Sequence, residues 1–209
     1  DFDGVTIYQI NGETPITLEP YEIVRISVQL SDVGVTMQDH DPLIQSELNY
    51  DDNLVGSQSG DTIVAHIGED SVLGRGGDDI LLGGDDNDAV FGGAENDALF
   101  GEGGDDFVRG DGGDDWVVGG AGNDRLVGNS GNDIISGNSG DDILIGGEGD
   151  DILSGSNGNN TIFGGGGSDY IVVTPNSNLV VEDFNAAEGD QISHLRSGRS
   201  TESNERRRD

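Results

Sequence analysis

An all-β parallel solenoid is the fold class this sequence predicts, and three observations predict it. Acids recur every nine residues through most of the chain, an aliphatic residue stands two places after each, and glycines fill the intervals between them. A fixed short period marks a stack of identical units, each too small to bury its apolar side alone.

Fourteen consecutive nine-residue units run from Glu47 to Val172 without a gap. The sixth place holds Asp52, Asp61, Asp70, Asp79, Asp88, Asp97, Asp106, Asp115, Asp124, Asp133, Asp142, Asp151, Asn160 and Asp169. The eighth place holds Leu54, Ile63, Val72, Leu81, Val90, Leu99, Val108, Val117, Leu126, Ile135, Leu144, Leu153, Ile162 and Ile171, every one aliphatic. Twelve units open with Gly and ten carry Gly at the fourth place.

Each unit divides into six turn residues and three strand residues. Glycines at the first and fourth places allow φ > 0 or close backbone approach, so the chain can reverse tightly. The last three places, such as Trp116, Val117 and Val118, have the composition of a short strand. Side chains alternate along a strand, so the invariant eighth place points inward and its neighbours outward. Two units make one coil of strand, turn, returning strand, turn. Seven such coils at about 4.8 Å spacing form a flattened solenoid roughly 30 Å long, with a thin core of Leu, Ile and Val. Units two apart share an edge, so the sixth-place acids form two columns. Stacked carboxylates about 5 Å apart repel, so the bare solenoid should not form without a counter-charge.

Composition narrows the partners. The formal net charge is −33 over 209 residues, with 37 Gly and no Cys. Residues 1 to 195 carry 39 acids against four Arg, which excludes nucleic acid and makes cations the natural counterpart. Without cysteine there is neither a disulfide framework nor a thiolate metal site. No run approaches the roughly 18 apolar residues of a membrane span. Asp1 is followed by no signal-peptide pattern, which reads as a processed product or a fragment. Calcium suits the turns better than magnesium, because it accepts six to eight carboxylate and carbonyl oxygens in a flexible geometry.

The unit resembles the RTX (repeat-in-toxin), or hemolysin-type, calcium-binding nonapeptide G-G-x-G-x-D-x-U-x over residues 47–172. The resemblance implies a right-handed parallel β-roll that is disordered until calcium arrives, each ion lying between successive turns on one edge and shared by their sixth-place Asp. It implies at most twelve inter-turn sites, six per edge. The metal residues it implies are Asp70, Asp79, Asp88, Asp97, Asp106, Asp115, Asp124, Asp133, Asp142, Asp151 and Asp169. With them goes the backbone of Gly101, Gly104, Gly110, Gly113, Gly119, Gly122, Gly128, Gly131, Gly137, Gly140, Gly146 and Gly149. Units from Gly101 to Leu153 keep the pattern best; Tyr50, Ser59, Asp86 and Glu95 replace the fourth-place Gly, and Asn160 replaces the acid. Fifth-place acids such as Asp105, Asp114 and Asp141 read as solvated turn residues.

The flanks differ from the array. Residues 1–46 read as a small β cap or the stump of a preceding β domain, with Asn11-Gly12 as a hairpin turn and a half-buried strand of alternating pattern from Val24 to Leu30. Residues 173–195 resemble the segment that closes RTX arrays, with Asp183-Phe184 followed by Gly189-Asp190 and Ile192. Residues 196–209 form a polar, basic tail that reads as disordered. There is no H-E-x-x-H and no G-x-S-x-G, and His40, His66 and His194 are scattered, so the expectation is not an enzyme. Phe91, Phe100, Phe107, Trp116, Phe163 and Tyr170 at outward strand places make the flat faces apolar enough to meet a protein partner or a second copy.

Two functions fit these features. One is a calcium-responsive structural or interaction module of an exported bacterial surface protein, of adhesin or matrix type. The other is the calcium-folded C-terminal secretion and stabilisation domain of an RTX exoenzyme or toxin whose catalytic part lies outside this chain. Both place it outside the cell.

Overall fold

The computed structural model describes residues 6–7, 16–17, 43–45, 50–175 and 177–194. It divides the chain into two units, residues 1–31 and 32–209. In the first, Thr6–Ile7 pairs antiparallel with Ile16–Thr17; the turn expected at Asn11-Gly12 lies outside the described residues. The strand expected over Val24–Leu30 and the tail 196–209 lie outside the described residues.

The second unit is a parallel β-roll of about eight coils, with no helix among the described residues. An eight-stranded sheet runs through Asn53–Val55, Ser71–Gly76, Ala89–Ala94, Phe107–Gly112, Arg125–Ser130, Ile143–Glu148, Gly158–Gly166 and Ser177–Val181. The opposing nine-stranded sheet runs through Leu43–Gln45, Thr62–Ile67, Ile80–Asp85, Ala98–Gly103, Trp116–Ala121, Ile134–Ser139, Ile152–Ser154, Tyr170–Val173 and Gln191–His194. Successive strands alternate between the sheets, and each array strand pairs in register with the strand 18 residues on, as in Val117↔Ile135 and Val108↔Leu126. The expectation of seven coils counted only the periodic units. Leu43–Gln45 precedes them, and Ser177–Val181 and Gln191–His194 follow, each adding a parallel strand.

The eighth-place residues from Ile63 to Ile171 are all buried and line up as the core; Leu54, at the end of its column, is half-buried and packs against it. The core is one side chain deep from each sheet, because among the buried places only the eighth carries a large apolar side chain; the first is Gly, or Ala65, and the sixth is Asp or Asn.

The strands are longer than the three residues expected per unit. Most span six, from the seventh place to the third place of the next unit, so Gly120↔Asn138 and Ala121↔Ser139 continue the ladder begun by Trp116↔Ile134. The second place makes this possible. His66, Arg75, Glu102, Asp111, Asn129, Asn138 and Ser156 all stand there with φ between 65° and 85°, and Gly84, Gly93, Gly120, Gly147 and Gly165 share the left-handed sense. The strand therefore bends without leaving the sheet. The first-place Gly, by contrast, is there for room: a Cβ on Gly110 would overlap Asp115 Oδ2 and lie 3.0 Å from the Gly128 carbonyl.

Candidate metal centres along both edges

The three residues between one six-residue strand and the next form the turn, which ends on the sixth-place acid. These acids stack in two columns. On one edge stand Asp70, Asp88, Asp106, Asp124 and Asp142, followed by Asn160; on the other stand Asp61, Asp79, Asp97, Asp115, Asp133, Asp151, Asp169 and Asp190. All are buried, the eleven Asp implied by the resemblance to between 1% and 3% exposure. A carboxylate so placed has lost its water and needs donors.

Half of that need is met. The backbone N–H of each sixth-place residue donates to Oδ1 of the acid one coil later: Asp97 N–H to Asp115 Oδ1 at 2.8 Å, Asp115 N–H to Asp133 Oδ1 at 2.8 Å, Asp106 N–H to Asp124 Oδ1 at 2.9 Å. The other half is not. Oδ2 is buried and without a hydrogen-bond partner in Asp70, Asp79, Asp88, Asp97, Asp106, Asp115, Asp124, Asp133, Asp142, Asp151 and Asp169. Burial is the leading cause that pushes these carboxyls above the ordinary carboxylate range, with neighbouring acids adding and the backbone N–H opposing. Asp88, Asp97, Asp115 and Asp151 rise to about 7, and Asp79, Asp106, Asp124 and Asp142 to about 6.

Ten of the eleven unpartnered oxygens face a cradle that a side chain would fill; the exception is Asp70, whose unit opens with Ala65 in place of Gly. A Cβ on Gly101 would overlap Asp106 Oδ2 and lie 2.8 Å from the Gly119 carbonyl; on Gly128 it would overlap Asp133 Oδ2 and lie 2.7 Å from the Gly146 carbonyl. Among the predicted glycines, then, Gly101, Gly110, Gly119, Gly128, Gly137 and Gly146 border the carboxylate directly. Gly104, Gly113, Gly122, Gly131, Gly140 and Gly149 all have positive φ and instead approach the carbonyl of the fourth-place residue one coil earlier.

Among the described residues no three His, Cys, Asp or Glu side chains converge on one point. The available set is therefore a carboxylate or two completed by backbone carbonyls. Oxygen donors of that kind suit a hard cation of flexible coordination, which is calcium's chemistry. The orphaned Oδ2 and the glycine cradle fit such an ion.

Sequence reasoning missed the column ends. Asp61 Oδ2 accepts the Ser57 N–H at 2.6 Å, and Asp190 Oδ2 accepts the Asn185 N–H at 2.6 Å, so backbone donors close the terminal carboxylates. Asp190 takes the Asp169 N–H on its other oxygen, but at a spacing of 21 residues instead of 18, so a strict nine-residue search passes over it. Asn160 keeps the Oδ1 contact to the Asp142 N–H but presents an unpartnered Nδ2 donor where its neighbours present an acceptor. The fifth-place acids Asp105, Asp114 and Asp141 are exposed.

A parallel β-roll whose turns carry this acid column is a repeat-built calcium-binding module. A family model for the RTX calcium-binding nonapeptide repeat, in four copies, matches residues 48–81, 82–117, 109–144, 118–153 and 145–173. The chain belongs to that family, and its repeats are calcium-binding repeats. No curated protein matches the chain. Among the described residues no helix is long and apolar enough to cross a membrane.

Proposed function

We propose that this chain is an extracellular, non-catalytic module that folds when calcium fills the inter-turn sites, and that it serves an exported bacterial protein as a structural or interaction element. One observation carries the reading: eleven buried Asp Oδ2 atoms without a donor, ten of them bordered by the glycine that opens their own unit. The ligands are those eleven carboxylates, at up to twelve inter-turn positions, completed by the backbone of the turn glycines. Export fits the same logic, since calcium is scarce inside a cell and millimolar outside it.

Calorimetric titration with calcium tests the ligand assignment. The chain is expected to bind several ions cooperatively, and Asp115→Ala and Asp133→Ala are each expected to weaken apparent affinity about tenfold or more and to reduce cooperativity, as losing a charged ligand should. Asp114→Ala should change affinity far less. Equal losses from all three would remove the sixth-place assignment.

The nine-stranded sheet supplies a contact face. At the seventh place it exposes Ile80, Trp116, Ile134, Ile152 and Tyr170, between 40% and 51%. The seventh and ninth places of that sheet carry no ionisable acid or base from Thr62 to Val172, apart from the Tyr170 phenol, in a chain of net charge −33. The opposite sheet carries Arg109 and Arg125 at those places. The uncharged strip is the surface on which a protein partner or a second copy meets least repulsion. Sedimentation in calcium at rising concentration should show association that Trp116→Glu with Ile134→Glu abolishes; a monomer at every concentration would rule out self-association.

A further inference from the structure

Beside each buried acid column runs a second, exposed ladder, built from the fifth place. On one edge its members are Asp78, Asn96, Asp114, Asn132, Asp150 and Ser168; on the other, Asn87, Asp105, Asn123, Asp141 and Asn159. Each side-chain Oδ1 accepts the backbone N–H of the next member, 18 residues later, at 2.7 Å to 3.0 Å. The direction is opposite to that of the sixth-place column. There the earlier coil donates its N–H and the later coil accepts; here the later coil donates and the earlier accepts, as in Asn132 N–H to Asp114 Oδ1 beside Asp115 N–H to Asp133 Oδ1. Every junction between these coils is thus stitched both ways.

Acid and amide alternate from Asp78 to Asp150 on one edge and from Asn87 to Asn159 on the other; before Asn87 the same contact joins two acids, the Glu69 N–H donating to Asp51 Oδ1 at 3.1 Å. The backbone contact alone does not require this, since Asp and Asn present the same acceptor oxygen. Charge does. With every place acidic, exposed carboxylates would stack one coil apart, about 4.8 Å. With alternation they stand two coils apart, about 9.6 Å, which is beyond the Debye length of about 8 Å at physiological ionic strength. The intervening amides add attraction: Asn123 Nδ2 donates to Asp105 Oδ1 at 3.1 Å, Asn132 Nδ2 to Asp114 Oδ1 at 3.2 Å, and Asn159 Nδ2 to Asp141 at 3.0 Å.

We propose that the alternating acid and amide ladder at the fifth place is a metal-independent register clamp, which holds successive coils in line and spaces exposed charge so that the calcium needed to assemble the roll is lowered. The inference rests on the calcium-folding reading and adds a residue class that sets its threshold without binding the ion. The fifth-place residues are positioning residues: they align the turn in which the next residue along is the buried acid.

Three variant sets and one readout, the calcium midpoint for gain of β structure followed by circular dichroism with ion stoichiometry measured alongside, test it. Asp105→Asn with Asp114→Asn and Asp141→Asn keeps every acceptor and removes charge, so the midpoint should fall, by about threefold or more on the scale of like charges in water, with stoichiometry unchanged. Asn96→Asp with Asn123→Asp and Asn132→Asp keeps the acceptors and stacks charge, so the midpoint should rise. Asn96→Leu with Asn132→Leu removes acceptors without adding charge, and it should also raise the midpoint and reduce cooperativity. A lower stoichiometry or higher midpoint in the Asp→Asn set would make the fifth-place acids ligands and overturn the clamp, as would an unchanged midpoint in all three. Failure of the calcium reading looks different, because the unsubstituted chain would itself ignore calcium.

Discussion

In chelator at neutral pH the chain is expected to lose its β-sheet spectrum, and to regain it cooperatively when calcium is restored. The reason lies in the balance between a thin core and a dense set of buried charges. The core is a single inward residue per unit, Ile63 to Ile171, with Ala65 beside it. Against it stand eleven buried carboxylates with an unpartnered oxygen. Raising a carboxyl from 3.8 to about 7, as for Asp88, Asp97, Asp115 and Asp151, corresponds to about 4 kcal/mol against its charged form in the fold. Against a domain stability of only roughly 5 to 15 kcal/mol, a column of such groups weighs heavily. A cation beside Oδ2 supplies the missing partner, and its binding free energy becomes folding free energy. Magnesium at the same concentration should restore much less, since it prefers strict octahedral geometry and keeps its waters. Circular dichroism and hydrogen exchange in chelator and in calcium would decide it. A spectrum folded in chelator and indifferent to calcium would refute both the prediction and the proposed function.

Much of this architecture is legible in the sequence because its two main columns are nearly invariant. Val117 and Leu126 could be placed inside, and Asp115 and Asp124 on opposite edges, from spacing alone. What could not be read depends on backbone conformation more than on side-chain identity. The second place is left-handed in unit after unit, yet it holds His66, Arg75, Glu102 and Ser156 as well as Gly and Asn, so no single letter announces it. That bend converts three-residue strands into six-residue ones. Asp86 and Glu95 replace the fourth-place Gly, yet they adopt φ of 78° and 73° there and the ladder continues past them. The C-terminal coil escaped the repeat search because insertions carry Leu179 into line with Asn160 and Asp190 into line with Asp169 at spacings other than 18. The fifth-place alternation repeats over 36 residues, twice the coil, and Asp114 looks like an ordinary solvated turn acid until Asn96 and Asn132 are seen above and below it.

Acidification should do in part what calcium does. With chelator present, lowering the pH from about 7.5 to about 5 is expected to restore β structure without any metal. The sign follows from the direction of the shifts. Burial raises the folded-state pKa of Asp88, Asp97, Asp115 and Asp151 to about 7, and of Asp79, Asp106, Asp124 and Asp142 to about 6, whereas in the unfolded chain these carboxyls titrate near their ordinary value of 3.8. Between about 4 and 7 the folded state therefore holds more protons than the unfolded state, so stability falls as pH rises through that window. The contribution is complete below about 4 and lost as pH passes 6 to 7. Against the acid-folded roll calcium acts the other way: it competes with those protons, so calcium should bind the acid-folded roll more weakly as pH falls and should release protons as it binds. General loss of negative charge also favours compaction at low pH, and amide variants separate the two effects. Asp97→Asn with Asp115→Asn and Asp133→Asn imitates the protonated column; in chelator it should fold more readily at pH 7.5 and respond less to acid, while binding calcium worse. A chelated chain whose β content does not change between pH 7.5 and 5, or an amide variant as acid-responsive as its parent, would show that the buried columns are not what holds the metal-free roll open.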